Sequence, residues 1–244
     1  MSIPRFYCPI ELVPNKVVQL PSSPAHHAIR VLRLKINDQI VLFSGNGGEY
    51  KARVESITKS DMLVTVEEWQ NVERESPLRI TLAQSLLSND KMDYVLQKAV
   101  ELGVTTVQPI STERTVIRLT DERARRRIEH WQQIVINACE QCGRNEIPQV
   151  HDVRTLSEFV NHNAPTETRS LMLSPYAANS LKNIDHLPRC IILLIGPEGG
   201  LTSLEEQIAT NAGFVAVRLG QRILRGDTAS LAALASLQTV AGDF

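Results

Sequence analysis

Apolar and polar positions change their period once along the chain, and the change divides it. From residue 5 to about 68, short alternating stretches predict strands at 17–20, 39–43, 49–57 and 62–67. Ser44-Gly45-Asn46-Gly47-Gly48 is the clearest hairpin turn between them. Residues 24–34, with Ala28, Ile29, Val31 and Leu32 set among basic residues, predict one or two helical turns. The polar run 71–77 ends in proline and marks a domain boundary. Beyond it, apolar strands alternate with helices. Strands are predicted at 78–84, 105–110, 170–173, 191–195 and 214–219. A helix over 91–102 carries Met92, Val95, Leu96, Ala99 and Val100 on one stripe, can be capped by Ser88 or Asn89, and stops at Gly103. The longest helix spans 125–143, and the last, 229–240, is apolar nearly all round. This pattern predicts a small strand-rich first domain and an α/β second domain with a parallel sheet.

The most informative stretch is 190–230, which reads as two consecutive strand, glycine loop, helix units. Residues 191–195 form an unbroken apolar run, suited to a strand buried on both faces. Thr202 and Glu205 have capping-box spacing and start a helix at about Ser203, which Gly213 ends. Between strand and helix, the glycines of Gly196-Pro197-Glu198-Gly199-Gly200 let a ligand come close to the backbone. The loop has neither the Gly-x-Gly of a dinucleotide fingerprint nor the lysine of a P-loop, and Glu198 would repel phosphate. A cation or an uncharged hydroxyl-bearing group suits it better. The second unit has Gly220 opening a loop with Arg222, Arg225 and Asp227, after which Asp227 or Thr228 caps an Ala/Leu-rich helix.

Net charge changes the picture only locally. The chain of 244 residues has a formal charge of −1, which argues against a polyanion partner for the whole surface. Arg30, Arg33 and Lys35 nevertheless form one basic patch, and Arg114, Arg118, Arg123, Arg125, Arg126 and Arg127 a denser one. Glu113, Asp121 and Glu122 equally allow the second to be a solvated helix face. Cys139 and Cys142 have redox or zinc spacing, but Cys8 and Cys190 are isolated, so packing is the preferred reading. His26 and His27 lack nearby metal-ligand partners. No apolar run is long enough to cross a bilayer and residues 1–20 do not read as a signal peptide, so a soluble cytoplasmic protein is expected.

Leu194-Ile195-Gly196-Pro197-Glu198-Gly199-Gly200, followed by Leu219-Gly220-x-Arg222-Ile223-Leu224-Arg225-x-x-Thr228-Ala229, resembles the paired signature of the knotted SPOUT methyltransferases. More narrowly it resembles the ribosomal small subunit methyltransferase E family, the 16S ribosomal RNA uridine-N3 methyltransferases. The resemblance implies a trefoil-knot domain over 73–244 and a PUA-like β-barrel over 1–72 that grips RNA. Arg30-Val31-Leu32-Arg33 matches the barrel motif, with Asn37 where the family usually has glycine. Glu101-Leu102-Gly103 and Ala138 to Gln141 agree with the family as well.

The resemblance further implies that S-adenosylmethionine is held by three loops, with no metal. Ile195, Gly196, Pro197, Glu198, Gly199 and Gly200 form the first; Leu219, Gly220, Ile223, Leu224 and Thr228 the second; Leu173 and Ser174 begin the third. The implied partners are 16S ribosomal RNA within the small subunit and a second copy of the chain, which would cover the apolar last helix. The implied target is uracil 1498. RNA contacts are expected from Arg5, Arg30, Arg33, Lys91, Arg114, Arg144 and Arg222. A weakly acidic N–H must lose its proton during attack, so a carboxylate that accepts it or a cation that steadies the anion is needed. Arg225, Glu198 and Asp227 are the catalytic candidates. The family pattern after the arginine is Thr-Glu-Thr-Ala, where this chain has Gly226-Asp227-Thr228-Ala229, so Asp227 is read first as a helix cap. Two other classes stand beside this reading: a phosphate-transfer enzyme using the glycine loop, and a non-catalytic RNA-binding protein on a methyltransferase fold.

Overall fold

The computed structural model describes residues 3–115, 121–161, 167–184 and 187–244. The chain separates into two compact units, Met1–Glu75 with Cys139–Ile147, and Ser76–Ala138 with Pro148–Phe244. Cys139–Ile147 belongs to the first unit although it lies far along the chain. Helical periodicity shows which face is apolar, not which unit a helix end packs on.

The first unit is built on β1 (Arg5–Tyr7), β2 (Val17–Gln19), β3 (Gln39–Phe43), β4 (Glu49–Ile57) and β5 (Met62–Gln70), with α1 (Ser22–His26) running into a wider π-type turn, His27–Val31. Strand order is β1-β3-β4-β5-β2; β1 runs parallel to β3 and the other pairs are antiparallel. On β4, Ala52 and Val54 point inward while Lys51 and Arg53 face water and pair with Glu68 and Glu67. Two register shifts between β4 and β5 bend this pair. The sheet thereby encloses a core that includes Phe6, Leu20, Ile40, Leu42, Met62 and Val64. Asn37 takes φ 72°, the left-handed conformation that asparagine tolerates.

The second unit contains β6 (Arg79–Ser85), α2 (Asn89–Glu101), β7 (Val104–Ser111), α3 (Asp121–Cys142, through Ala138), β8 (Gln149–Val150), β9 (Arg154–Thr155), α4 (Leu156–Val160), β10 (Thr168–Leu173), β11 (Asn179–Ser180), β12 (Cys190–Ile195), α5 (Ser203–Asn211), β13 (Val215–Arg218) and α6 (Gly226–Ala241). Its sheet is parallel throughout, in the order β11-β13-β10-β12-β6-β7-β8, with β9 also on β7. The chain passes from β10 to β12 on one side and then returns to β13 on the other. Such a reversal opens a crevice at the carboxyl ends of the strands. Ala83, Ile110, Met172, Leu194, Ala209 and Phe214 form a core cluster beneath α4 and α5. Near the carboxyl end of α6, buried Gln238 accepts from Ser76 Oγ at 2.7 Å and donates to the Leu102 carbonyl at 3.0 Å.

The start of α6 differs from expectation. The helix begins at Gly226, and Arg225 occupies the cap position in an extended conformation with no side-chain cap bond. Asp227 and Thr228 lie inside the first turn, where Asp227 Oδ1 accepts the Thr228 amide at 2.8 Å. The reason is buried: Ser230 Oγ donates to Gln84 Oε1 at 2.5 Å and contacts the Gly226 carbonyl at 2.8 Å, so the turn before Ser230 is already helical.

Candidate functional site

A cavity of about 380 Å³ opens at the reversal, walled by the loops that follow β10, β12 and β13. The loop after β12 sets its shape. Gly200 adopts φ +69°, a conformation strained for any side chain. Gly226 is a close approach, because a Cβ there would stand 3.1 Å from Leu87 Cδ2 and 3.5 Å from the Gly196 carbonyl, so α6 presses directly on this loop. Thr202 and Glu205 form the complete capping box of α5: the Glu205 amide donates to Thr202 Oγ1 at 3.2 Å and the Thr202 amide to Glu205 Oε2 at 2.8 Å. The other oxygen of Glu205 accepts the Glu113 amide at 2.8 Å and so fixes the loop after β7. From that loop Arg114 donates to the Gly199 carbonyl at 2.9 Å.

Glu198 turns toward α2, not into a network of its own loop alone. Its Oε1 accepts the Ser88 amide at 3.2 Å and the Lys91 ammonium at 3.1 Å. Burial would raise this carboxyl, but hydrogen bonds from its own amide, the Ser88 amide and Lys91 prevail and hold it below the usual carboxylate range. Across the cavity the Ser174 amide donates to the Val217 carbonyl at 3.0 Å, the Ala177 amide to the Ser174 carbonyl at 3.2 Å, and Arg218 to the Ala177 carbonyl at 2.7 Å. The chemistry on offer is therefore mostly backbone donors and acceptors, with arginines, Glu198 and Glu206 in the wall and no lysine lining it among the described residues.

The RNA methyltransferase domain model matches residues 74–238, and the RNA methyltransferase PUA domain model matches residues 23–67. The ribosomal RNA small subunit methyltransferase E of Buchnera aphidicola is 34% identical over 99% of this chain and 98% of its own. That of Bacillus subtilis is 32% identical over 93% and 94%. The chain belongs to the ribosomal RNA small subunit methyltransferase E family. A crystal structure of the family member from Neisseria gonorrhoeae, bound to S-adenosyl methionine, superposes with a TM-score of 0.93 at 44% identity, covering both chains in full.

Set against this family frame, the residues singled out in the sequence divide by place. Leu173, Ser174, Ile195, Gly196, Pro197, Glu198, Gly199, Gly200, Leu219, Gly220, Ile223 and Leu224 line the one cavity, together with Arg114 and Arg222. Exposed Arg225 and Thr228 and half-buried Asp227 lie outside its lining, at the start of α6. Arg30 and Arg33 are exposed in the first unit, where Arg30, His26 and Lys59 border a separate hollow. Arg118 lies outside the described residues.

Two expected RNA contacts are instead internal. Arg144 is 5% exposed and its guanidinium is held by Glu75. Arg5 pairs with Glu49 and donates to Asn145 Oδ1 at 2.6 Å, with Glu49 also accepting from Arg74 at 3.0 Å. Both guanidiniums are thus ion-paired within the first unit. Cys139 is buried with its Sγ 3.6 Å from the Glu146 carbonyl, and burial pushes its thiol up to about 12, an inert packed group.

Sequence reasoning missed Leu201, Ser203, Glu206 and Arg218 as wall residues. Ser203 and Glu206 were legible in principle, since they occupy the first turn of a helix whose cap was already assigned. Arg218 was hidden inside a strand, and only the pairing of β13 beside β10 brings it to the loop it holds.

Proposed function

We propose that this chain methylates N3 of one uridine, uracil 1498, in 16S ribosomal RNA, with S-adenosylmethionine as donor. The observation that carries the reading is the backbone-lined cavity at the carboxyl ends of β10, β12 and β13 in a member of this family. Its volume of about 380 Å³ lies in the range of small-molecule pockets. Buried Ile195 and half-buried Leu173, Leu201 and Leu224 provide apolar wall for a purine. An added Cβ at Gly220 meets no atom, so room remains beside that backbone. Glu198 and Glu206 in the wall suit a nucleoside with a cationic sulfonium better than a triphosphate, which disfavours phosphate transfer. When bound, the cofactor supplies an electrophilic methyl group.

The residues then have distinct tasks. Backbone groups of 196–200 and 219–224 orient the donor, and Glu206 offers negative charge in the wall. Glu198 fastens the loop to Ser88 and Lys91; with its acceptor oxygen occupied and its affinity for a proton lowered, it is a poor general base. Arg225, exposed at the amino end of α6 with no ion-pair partner among the described residues, steadies the negative charge that develops on the uracil oxygens. Asp227, in the first turn of α6, receives the N3 proton. Residues 1–72 grip the RNA through Arg30 and Arg33, and residues 73–244 carry the knotted catalytic domain. Two copies associate through α6, whose Val240 is 62% exposed, and work in the cytoplasm.

Radiolabelled cofactor and small subunits lacking the modification test the proposal. Label at a single N3-methyluridine supports it. Cofactor binding without label would refute the substrate, and absence of both would favour a non-catalytic RNA-binding role.

A further inference from the structure

Tyr176 and Ile223 are the most exposed large apolar side chains among the described residues, at 84% and 72%, and both border the same cavity. They sit on different loops, after β10 and after β13, which the sheet places side by side. The cavity is thus graded, from a floor with Ser174 at 3% exposure to a rim carrying an aromatic ring in water. Exposed apolar side chains at the mouth of a cavity point to a binding surface.

The tyrosine is presented on a fixed turn. Bonds from the Ser174 amide to Val217, from the Ala177 amide to Ser174 and from Arg218 to the Ala177 carbonyl hold the backbone on both sides of it. Beside Ile223 stands Arg222, exposed and with no carboxylate paired to it among the described residues. An exposed aromatic ring and an available guanidinium bordering the same cavity match an unstacked nucleotide, whose base stacks while its phosphate meets the cation.

We propose that Tyr176 and Ile223 form the platform on which the target pyrimidine, turned out of its RNA stack, lies at the mouth of the cavity, with Arg222 at its phosphate. This rests on the methyltransferase function proposed above and adds how its base is received. A base that must expose N3 to a donor deeper in the cavity has to leave its helix, and a waiting aromatic face offsets part of the lost stacking.

The test uses the full chain and two variants, Tyr176→Ala and Tyr176→Phe. Affinity for S-adenosylmethionine is measured by calorimetry, methyl transfer by label incorporated into unmodified small subunits, and mass by light scattering. Tyr176→Ala is expected to lower kcat/KM for the subunit roughly ten- to a hundredfold while cofactor affinity stays within about twofold, because stacking is the contact removed. Tyr176→Phe restores most of the loss, since the ring and not the hydroxyl stacks. Unchanged kcat/KM in Tyr176→Ala overturns the inference. So does a fall in cofactor affinity that matches the fall in activity, which would make the ring a cofactor wall, or a change of mass, which would place it in a contact between copies. An active wild type with an unaffected Tyr176→Ala refutes this inference alone; a wild type that binds cofactor and methylates no uridine refutes the functional reading on which it depends.

Discussion

Glu205 carries two attachments at once, and replacing it separates them. One oxygen completes the cap of α5 by accepting the Thr202 amide; the other accepts the Glu113 amide at 2.8 Å. Loss of a cap costs about 1 kcal/mol. Loss of the part-buried, charge-assisted bond from the Glu113 amide adds about 1–2 kcal/mol. Glu205→Ala is therefore expected to destabilise the protein by about 2–3 kcal/mol, and Thr202→Ala, which removes only the cap, by about 1 kcal/mol. Urea unfolding of both variants against the wild type measures the difference. A functional readout should divide the same way. The loop that Glu205 anchors carries Arg114 to the Gly199 carbonyl, so Glu205→Ala should weaken cofactor binding several-fold while Thr202→Ala leaves it nearly unchanged. If the two variants lose the same stability, the Glu113 contact contributes nothing and the coupling of the β7 loop to the glycine loop is wrong.

Arg114→Ala, which removes a charge-assisted bond to the Gly199 carbonyl, should raise the cofactor dissociation constant about tenfold by calorimetry, with Arg114→Lys recovering only part. Lys91→Ala should cost under about 1 kcal/mol, since the pair it forms with Glu198 is partly solvated; carboxyl NMR should nevertheless show Glu198 titrating closer to the ordinary range. Burial would raise the Glu49 carboxyl, but bonds from Arg74 and Arg5 hold it below the usual range. Its contribution is thus present above the unfolded value of about 4.3 and lost as pH falls through the lower folded value. Glu49→Gln, which leaves Arg5 without its counterion in a buried place, should cost about 3 kcal/mol at neutral pH. That deficit should shrink in denaturation curves as pH falls below the unfolded value and through the lower folded one, where wild-type Glu49 also loses its charge.

Elements whose signal is local were legible in the chain. The capping box at Thr202 and Glu205 placed the start of α5 correctly because both halves lie within four residues. Residues 39–43 and 49–57 were assigned from alternation and the intervening glycine turn, and the structure has β3 and β4 there. The start of α6 was misplaced because its determinant is not local. Ser230 reaches Gln84, 146 positions earlier, and nothing in the spacing of Asp227 and Thr228 reports that bond. The membership of Cys139–Ile147 in the first unit was illegible for a similar reason: Glu140 accepts the Tyr7 amide at 2.9 Å, a contact between segments far apart in sequence.

The charged residues show the same limit more sharply, because an arginine has one appearance in a sequence and several fates in a fold. Arg5, Arg144 and Arg222 all stood as RNA contacts on equal grounds. Arg5 pairs with buried Glu49, and buried Arg144 with half-buried Glu75, so both are tied to carboxylates inside the first unit. Arg222 and Arg225 remain exposed, beside the cavity and at the head of α6, without an ion-pair partner among the described residues. Glu198 follows the same logic with opposite sign: the acid that ruled out a phosphate cradle turns to Lys91 and the Ser88 amide, so it shapes the loop instead of acting on a proton. What the glycine spacing fixed was the path of the backbone around the cavity. Which charges face that cavity depends on partners more than a hundred residues away, such as Ser88 and Lys91 for Glu198. A substitution at Arg222 or Arg225 should therefore alter RNA turnover with little loss of stability, whereas one at Arg144 should unfold the first unit before any effect on the reaction is measurable.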